Sequence, residues 1–101
     1  MIDIYVTCKD KQEAVKIARH LLKLKLAGCA NIFPIESLYW WQGKIVEDKE
    51  IAMLIKAQEK NYSIIEKDIR KLHSYTVPCI VTLNVKRANK AYLKWLKEVT
   101  K

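Results

Sequence analysis

The sequence predicts an α+β fold, in the order β-α-β-β-α-β with an added C-terminal helix. Three observations carry that reading. Apolar residues first alternate with polar ones and then recur at helical spacing, and the two patterns exchange along the chain. Only two Gly and two Pro punctuate 101 residues, so the elements are long and the connections few. Half of the residues are apolar, which excludes disorder and supports a packed globule.

Ile2, Ile4 and Val6 alternate with Asp3, Tyr5 and Thr7, which is the signature of a strand. Asp10 and Glu13 have capping-box spacing and open a helix. Ala14, Ile17, Ala18, Leu21 and Leu22 form its apolar stripe, and Gly28 is the expected C-terminal stop. Residues 30 to 42 read as a second extended stretch, interrupted at Pro34. A turn at Gln42-Gly43-Lys44 leads to a long third strand, through Ile45 and Val46 and on to Ile51–Gln58. Asn61 is the expected cap of a second helix, with Ile65, Ile69 and Leu72 inward and His73 at its end. Pro78 opens a fourth strand, Cys79 to Val85. Asn89 caps a last helix bearing Tyr92, Leu93, Trp95, Leu96 and Val99. The order is that of the ferredoxin-like split βαβ arrangement, with a long β2–β3 hairpin and helices on one sheet face. The strands are apolar on both faces, as along Ile51–Ile55. The second face therefore needs a cover, and another subunit is the economical one.

A chain of 101 residues makes one domain, residues 1–101, and not two. Such a domain buries only about 60–65% of its unfolded surface, so self-association gives the excess apolar surface somewhere to go. Cys8, Cys29 and Cys79 are an odd count without C-x-x-C spacing, which points to free thiols in a reducing cytoplasm. No signal peptide is expected before Asp3, and the longest uncharged run, His73 to Val85, is too short to span a membrane. Net charge is +8. The basic residues gather in two places, Lys11 to Lys25 and Lys86 to Lys101. They allow a nucleic-acid or membrane surface, but no nucleic-acid motif accompanies them, and two solvated lysine-rich helix faces explain them more simply. Neither a specific nucleic acid nor a membrane is expected as a partner.

The segment from Cys29 to Lys44 is the richest in the chain. Tyr39, Trp40 and Trp41 are three of its nine aromatics. They alternate across a strand, so one set is expected in the core and the other against a neighbouring subunit or a small molecule. His73 is a candidate metal ligand or general base; the competing role is a cap at the negative end of a helix. His20 is expected at the surface. Cys29 and Cys79 read as small buried hydrophobes, with a functional thiol as the alternative. Lys56 is either an anion ligand or an exposed strand-end residue. Glu47, Asp48 and Glu50, with Lys49, read as a solvated edge that discourages sheet-to-sheet pairing. Paired carboxylates, a nucleophile elbow, a P-loop and a dinucleotide fingerprint are all missing from the sequence.

Five short elements stand out in order: Cys29-Ala30-Asn31-Ile32; Ser37, Tyr39, Trp41, Gly43 and Lys44; Ile55-Lys56; His73, Tyr75 and Pro78; and Tyr92-Leu93 with Trp95. In this order they resemble the CutA family of divalent-cation tolerance proteins. The resemblance spans nearly the whole chain. It implies a ferredoxin-like subunit in a trimer whose sheets face inward, with a hairpin of about residues 31 to 58 reaching the neighbour. It also implies pockets at the subunit boundaries, which assigns binding roles to Cys29, Asn31, Tyr39, Trp41, Lys56, His73 and Tyr75. The family is linked to copper tolerance, and no reaction is established for it. Two departures bear on metal chemistry. Ser74 and Cys79 stand where the family commonly has Pro and often Glu, so a hard oxygen ligand is replaced by a soft thiol. Val6 occupies the position of a first-strand cysteine implicated in copper binding, and Cys8 lies two residues on, on the same strand face.

The implied function is a cytosolic homotrimeric binding protein in metal tolerance or small-molecule sensing, not an enzyme. No cofactor is required. Copper(II) is the candidate metal, with His73 and Cys8 as its ligands. The alternatives are an enzyme with an intersubunit pocket and a basic nucleic-acid-binding module.

Overall fold

The computed structural model describes residues 1–101. Its elements are β1 (Ile2–Cys8), α1 (Lys11–Lys23), β2 (Ala27–Trp41), β3 (Lys44–Ala57), a 3₁₀ turn (Glu59–Asn61), α2 (Tyr62–Leu72), β4 (Ile80–Asn84) and α3 (Lys90–Val99). The four strands form one sheet in the order β2-β3-β1-β4, and all three pairings are antiparallel. This is the expected ferredoxin-like order with its extra helix. No helix is long and apolar enough to cross a membrane.

Alternation along β1 sets the layers. Ile2, Ile4, Val6 and Cys8 are buried and share a core with Ile17 and Leu21 of α1 and Ile65 and Ile69 of α2. Asp3, Tyr5 and Thr7 point to the other face. There they meet Leu54 and Lys56 of β3 and Val81 and Leu83 of β4. α3 reaches this second face at one end only, where Tyr92 lies beside Cys29 and Asp3. Val81 and Leu83 stay exposed.

Several local expectations are corrected. Gly28 does not stop α1. The helix ends at Lys23, and Lys25 takes the left-handed conformation (φ 56°). The Lys25 N–H donates to Leu22 O and the Leu26 N–H to Leu21 O, the paired bonds of a Schellman closure. Leu21 and Leu26 are both buried, and that apolar contact offsets the cost of a non-glycine residue at positive φ. Gly28 instead sits at a β-bulge in β2. A Cβ there would lie 2.7 Å from Leu96 Cδ1, so the glycine is needed for α3 to dock.

Pro34 does not interrupt β2, because β2 is an edge strand and a residue without an N–H is tolerated there. Asn61 makes no side-chain cap. Its Nδ2 donates to Lys101 O and ties the C-terminal segment down. His20 does lie at the surface, its side chain 38% exposed, and its Nε2 meets Asp68 Oδ2 of α2 at 2.9 Å.

The hairpin turns through Gln42 (φ 50°) and Gly43 (φ 76°), a two-residue loop between the paired Trp41 and Lys44. Positive φ at both central positions is the hairpin geometry that matches strand twist. Beyond Pro34 and before Glu50 the hairpin leaves the core, since no residue from 35 to 49 is buried. The radius of gyration is 14.1 Å and the longest extent 45 Å, against about 13 Å for a compact domain of this length.

Candidate functional site

The expected site residues fall into two groups. Strand parity places Cys29, Asn31 and Lys56 on the second sheet face at one end. Lys56 Nζ donates to Asn31 Oδ1, which makes Lys56 a paired, half-buried residue. Tyr92 is half-buried beside Cys29, and burial first, then the Cys29 thiol, pushes its phenol up. Asp3 lies opposite Lys56, and its buried Oδ1 has no hydrogen-bond partner.

The second group lies at the other end. Glu50 and Lys56 are six residues apart on β3, roughly 20 Å at the rise of a strand. Here Tyr39, Trp41 and Tyr75 line a cleft of about 850 Å³, together with Glu36, Glu50, Cys79 and Thr7. The cleft floor corrects one expectation: Glu50 is buried, not part of a solvated edge. Its Oε2 accepts from the Tyr75 hydroxyl at 2.7 Å. Burial, then that carboxylate, raises the Tyr75 phenol well above its usual range, so it remains a donor. Burial, then the Glu50 charge, also pushes the Cys79 thiol up, which keeps it protonated and a poor nucleophile. The walls are aromatic. Tyr39, Trp40 and Trp41 are all exposed, and neither set enters this chain's core.

His73 stands behind the cleft, its ring tilted against Tyr75 at 4.8 Å between centroids. It is the C-cap residue of α2, but its ring bonds to β1 and not to the helix carbonyls. Nε2 donates to Thr7 O at 2.7 Å, and Nδ1 accepts from the Tyr75 N–H at 3.1 Å. Those partners define a neutral ring with the proton on Nε2.

The structure brings Cys8, the other expected ligand, to the same place and adds Glu13. One donor atom from each of Cys8, Glu13 and His73 lies within 4.8 Å of the others, and all three residues are buried. Burial, then the Glu13 charge, raises the Cys8 thiol to about 12. Burial also pushes the Glu13 carboxyl up, but hydrogen bonds from Ser74 and from the Lys9 N–H outweigh it, and the net effect is to lower it. The signal for Glu13 was its capping-box spacing. A residue three past the cap folds its carboxylate back over the helix N-terminus, and here that brings it beside the end of β1.

Comparison with known proteins converges on one family. The family model described as CutA1 divalent ion tolerance protein matches residues 2–99. The divalent-cation tolerance protein CutA of Pyrococcus horikoshii is 43% identical over 101 residues, covering 100% of this chain and 99% of that protein. Its counterpart in Archaeoglobus fulgidus is 42% identical over 95 residues, covering 94% and 93%. The solved structure of the latter, described there as a periplasmic divalent cation tolerance protein, superposes with a TM-score of 0.97 over 100% of both chains at 40% identity. The CutA1 protein of Thermus thermophilus superposes with a TM-score of 0.94 over 100% of both chains at 38% identity.

Proposed function

This chain belongs to the CutA1 divalent ion tolerance family, and on that premise we propose that it is a homotrimeric binding protein of the cytoplasm that acts in the response to divalent metal ions. Copper(II) is the leading metal, and the clefts at the subunit boundaries are the sites for small-molecule sensing. The role is binding and not catalysis. The family is named for tolerance and not for a reaction, and burial and Glu50 push the Cys79 thiol and the Tyr75 phenol at the cleft up, which disfavours their nucleophilic forms.

One observation carries the assembly. The projecting hairpin exposes Leu38, Trp40 and Ile45 at 70%, 72% and 66% on one of its faces, while Val81 and Leu83 are exposed on the second sheet face. That much apolar surface in so small a chain is interface surface. The three unpaired thiols suit a reducing compartment. The cleft supports a cationic ligand, with two carboxylates, several hydroxyls and flanking aromatics.

Light scattering on a sizing column should give three times the 11.8 kDa chain mass. Calorimetric titration of that species should show copper(II) binding and no magnesium binding, as donors of nitrogen and sulfur favour copper. A monomer at micromolar concentration overturns the assembly, and a trimer indifferent to copper overturns the metal role.

A further inference from the structure

We propose that the cleft between the hairpin and Tyr75 binds a small organic ammonium ion, a primary amine on a short carbon chain, with Glu50 as its counter-charge and the rings of Tyr39 and Trp41 along its methylenes. The proposal rests on the small-molecule reading above and deepens it by naming the ligand class, which sets this site apart from any metal site.

Charge distinguishes the cleft. The chain carries +8 overall, yet no Lys, Arg or His lines the cleft, while Glu36 and Glu50 do. Glu50 is 7% exposed and takes part in none of the three ion pairs. Its hydrogen-bond partner is the Tyr75 hydroxyl, 2.7 Å from Oε2, which leaves Oε1 to a ligand. A buried carboxylate without a cation is costly, so the cleft favours a cation from outside. Strand parity puts Glu50, Asp48, Tyr39 and Trp41 on the same face of the hairpin. Burial first, then the charges of Asp48 and Glu50, push the Tyr39 phenol up; burial, then Glu50, does the same to Tyr75 and Cys79. Those three groups keep their protons, and the carboxylates alone carry the negative field.

The walls decide the kind of cation. Magnesium or calcium needs about six oxygen donors close around it, and this cleft of about 850 Å³ offers ring faces where those would stand. An ammonium on carbon uses both parts. Its N–H groups donate to Glu50 Oε1 and to the hydroxyls of Thr7 and Ser37 in the lining. Its methylenes lie on Tyr39 and Trp41, and a cation within about 6 Å of such a ring gains further attraction from its face.

Butylammonium is the probe, with 1-pentanol as its uncharged counterpart of equal length. In the full-length protein, butylammonium should shift the indole N–H resonance of Trp41 in a saturable way and leave that of Trp95, on α3, in place. 1-Pentanol should bind at least tenfold more weakly. Glu50→Gln, which keeps the shape of the side chain, should weaken butylammonium at least tenfold. Tyr39→Leu should weaken it and Tyr39→Phe retain it, a comparison that decides the matter if Glu50→Gln folds poorly. Equal binding of the alcohol, or unchanged affinity in folded Glu50→Gln, overturns the site, and so does magnesium displacing butylammonium at equal concentration. A protein that binds copper(II) without responding to butylammonium overturns the cleft ligand and leaves the metal role standing; no response to either overturns both readings.

Discussion

Glu13 holds a carboxylate in a nearly closed environment and keeps it ionised with backbone N–H donors from Lys9 and Ser74. Its folded carboxyl lies below the usual value of 4.5. A lowered folded pKa means the unfolded chain binds more protons in acid. The stabilisation is therefore present above pH 4.5 and is lost as pH falls through the lower folded value. Glu13→Gln should cost about 1–3 kcal/mol at pH 7, since it weakens charged hydrogen bonds. Urea midpoints at pH 7 and pH 3 should fall further in wild type than in the variant; equal falls would mean another group governs acid unfolding. Lys25 is a second local test. Lys25→Gly should stabilise by about 0.5–1 kcal/mol, the left-handed penalty less the greater freedom of glycine in the unfolded chain. A destabilised variant would show that the lysine stem packs usefully there. These residues also mark where sequence reading ran short. The nearest glycine drew the helix stop to Gly28, because the apolar contact of Leu21 with Leu26 that lets lysine close the helix is tertiary. Glu50 read as one of three solvated acids, because its partner Tyr75 is 25 positions away.

At the scale of elements, most of the fold was legible. Period-two and helical patterns are local, and each element here keeps one period over enough residues to be read. The turn between β2 and β3 was legible too, from Gly43. What the pattern could not show is how α3 lies on β2. That contact depends on an absence, the missing Cβ of Gly28 against Leu96 and Val99. Gly28→Ala should lower stability by about 1–3 kcal/mol through overpacking, because Leu96 is buried and has little room to turn. A thermal melt decides it, and an unchanged midpoint would mean α3 shifts freely. Metal candidates were half legible for a related reason. Cys8 and His73 sit at the ends of β1 and α2, which the topology brings together, whereas Cys29 and Lys56 lie at the other end of the sheet with Asn31, Asp3 and Tyr92.

The whole molecule is a finished subunit joined to an unfinished hairpin. Its own core involves β3 only from Ile51 to Ala57, and the hairpin beyond is held by its strand ladder, by Tyr39 on Asp48 and, at its base, by Tyr75 on Glu50. Trp40→Ala should weaken assembly while leaving the subunit's secondary structure intact, read by light scattering together with circular dichroism. A variant that stays trimeric under dilution as well as wild type would place the interface elsewhere. The projecting arm also has a consequence in time. In the proposed trimer, a chain that completes its core before it meets its fellows carries a bare, adhesive arm during that interval. Refolding should then proceed in two stages, one independent of protein concentration and a later one that quickens as chains are added. The interval sets a race between correct docking and clumping, so yield on rapid dilution should be greatest at intermediate concentration, and the newly made chain is most vulnerable in the moments before its neighbours arrive.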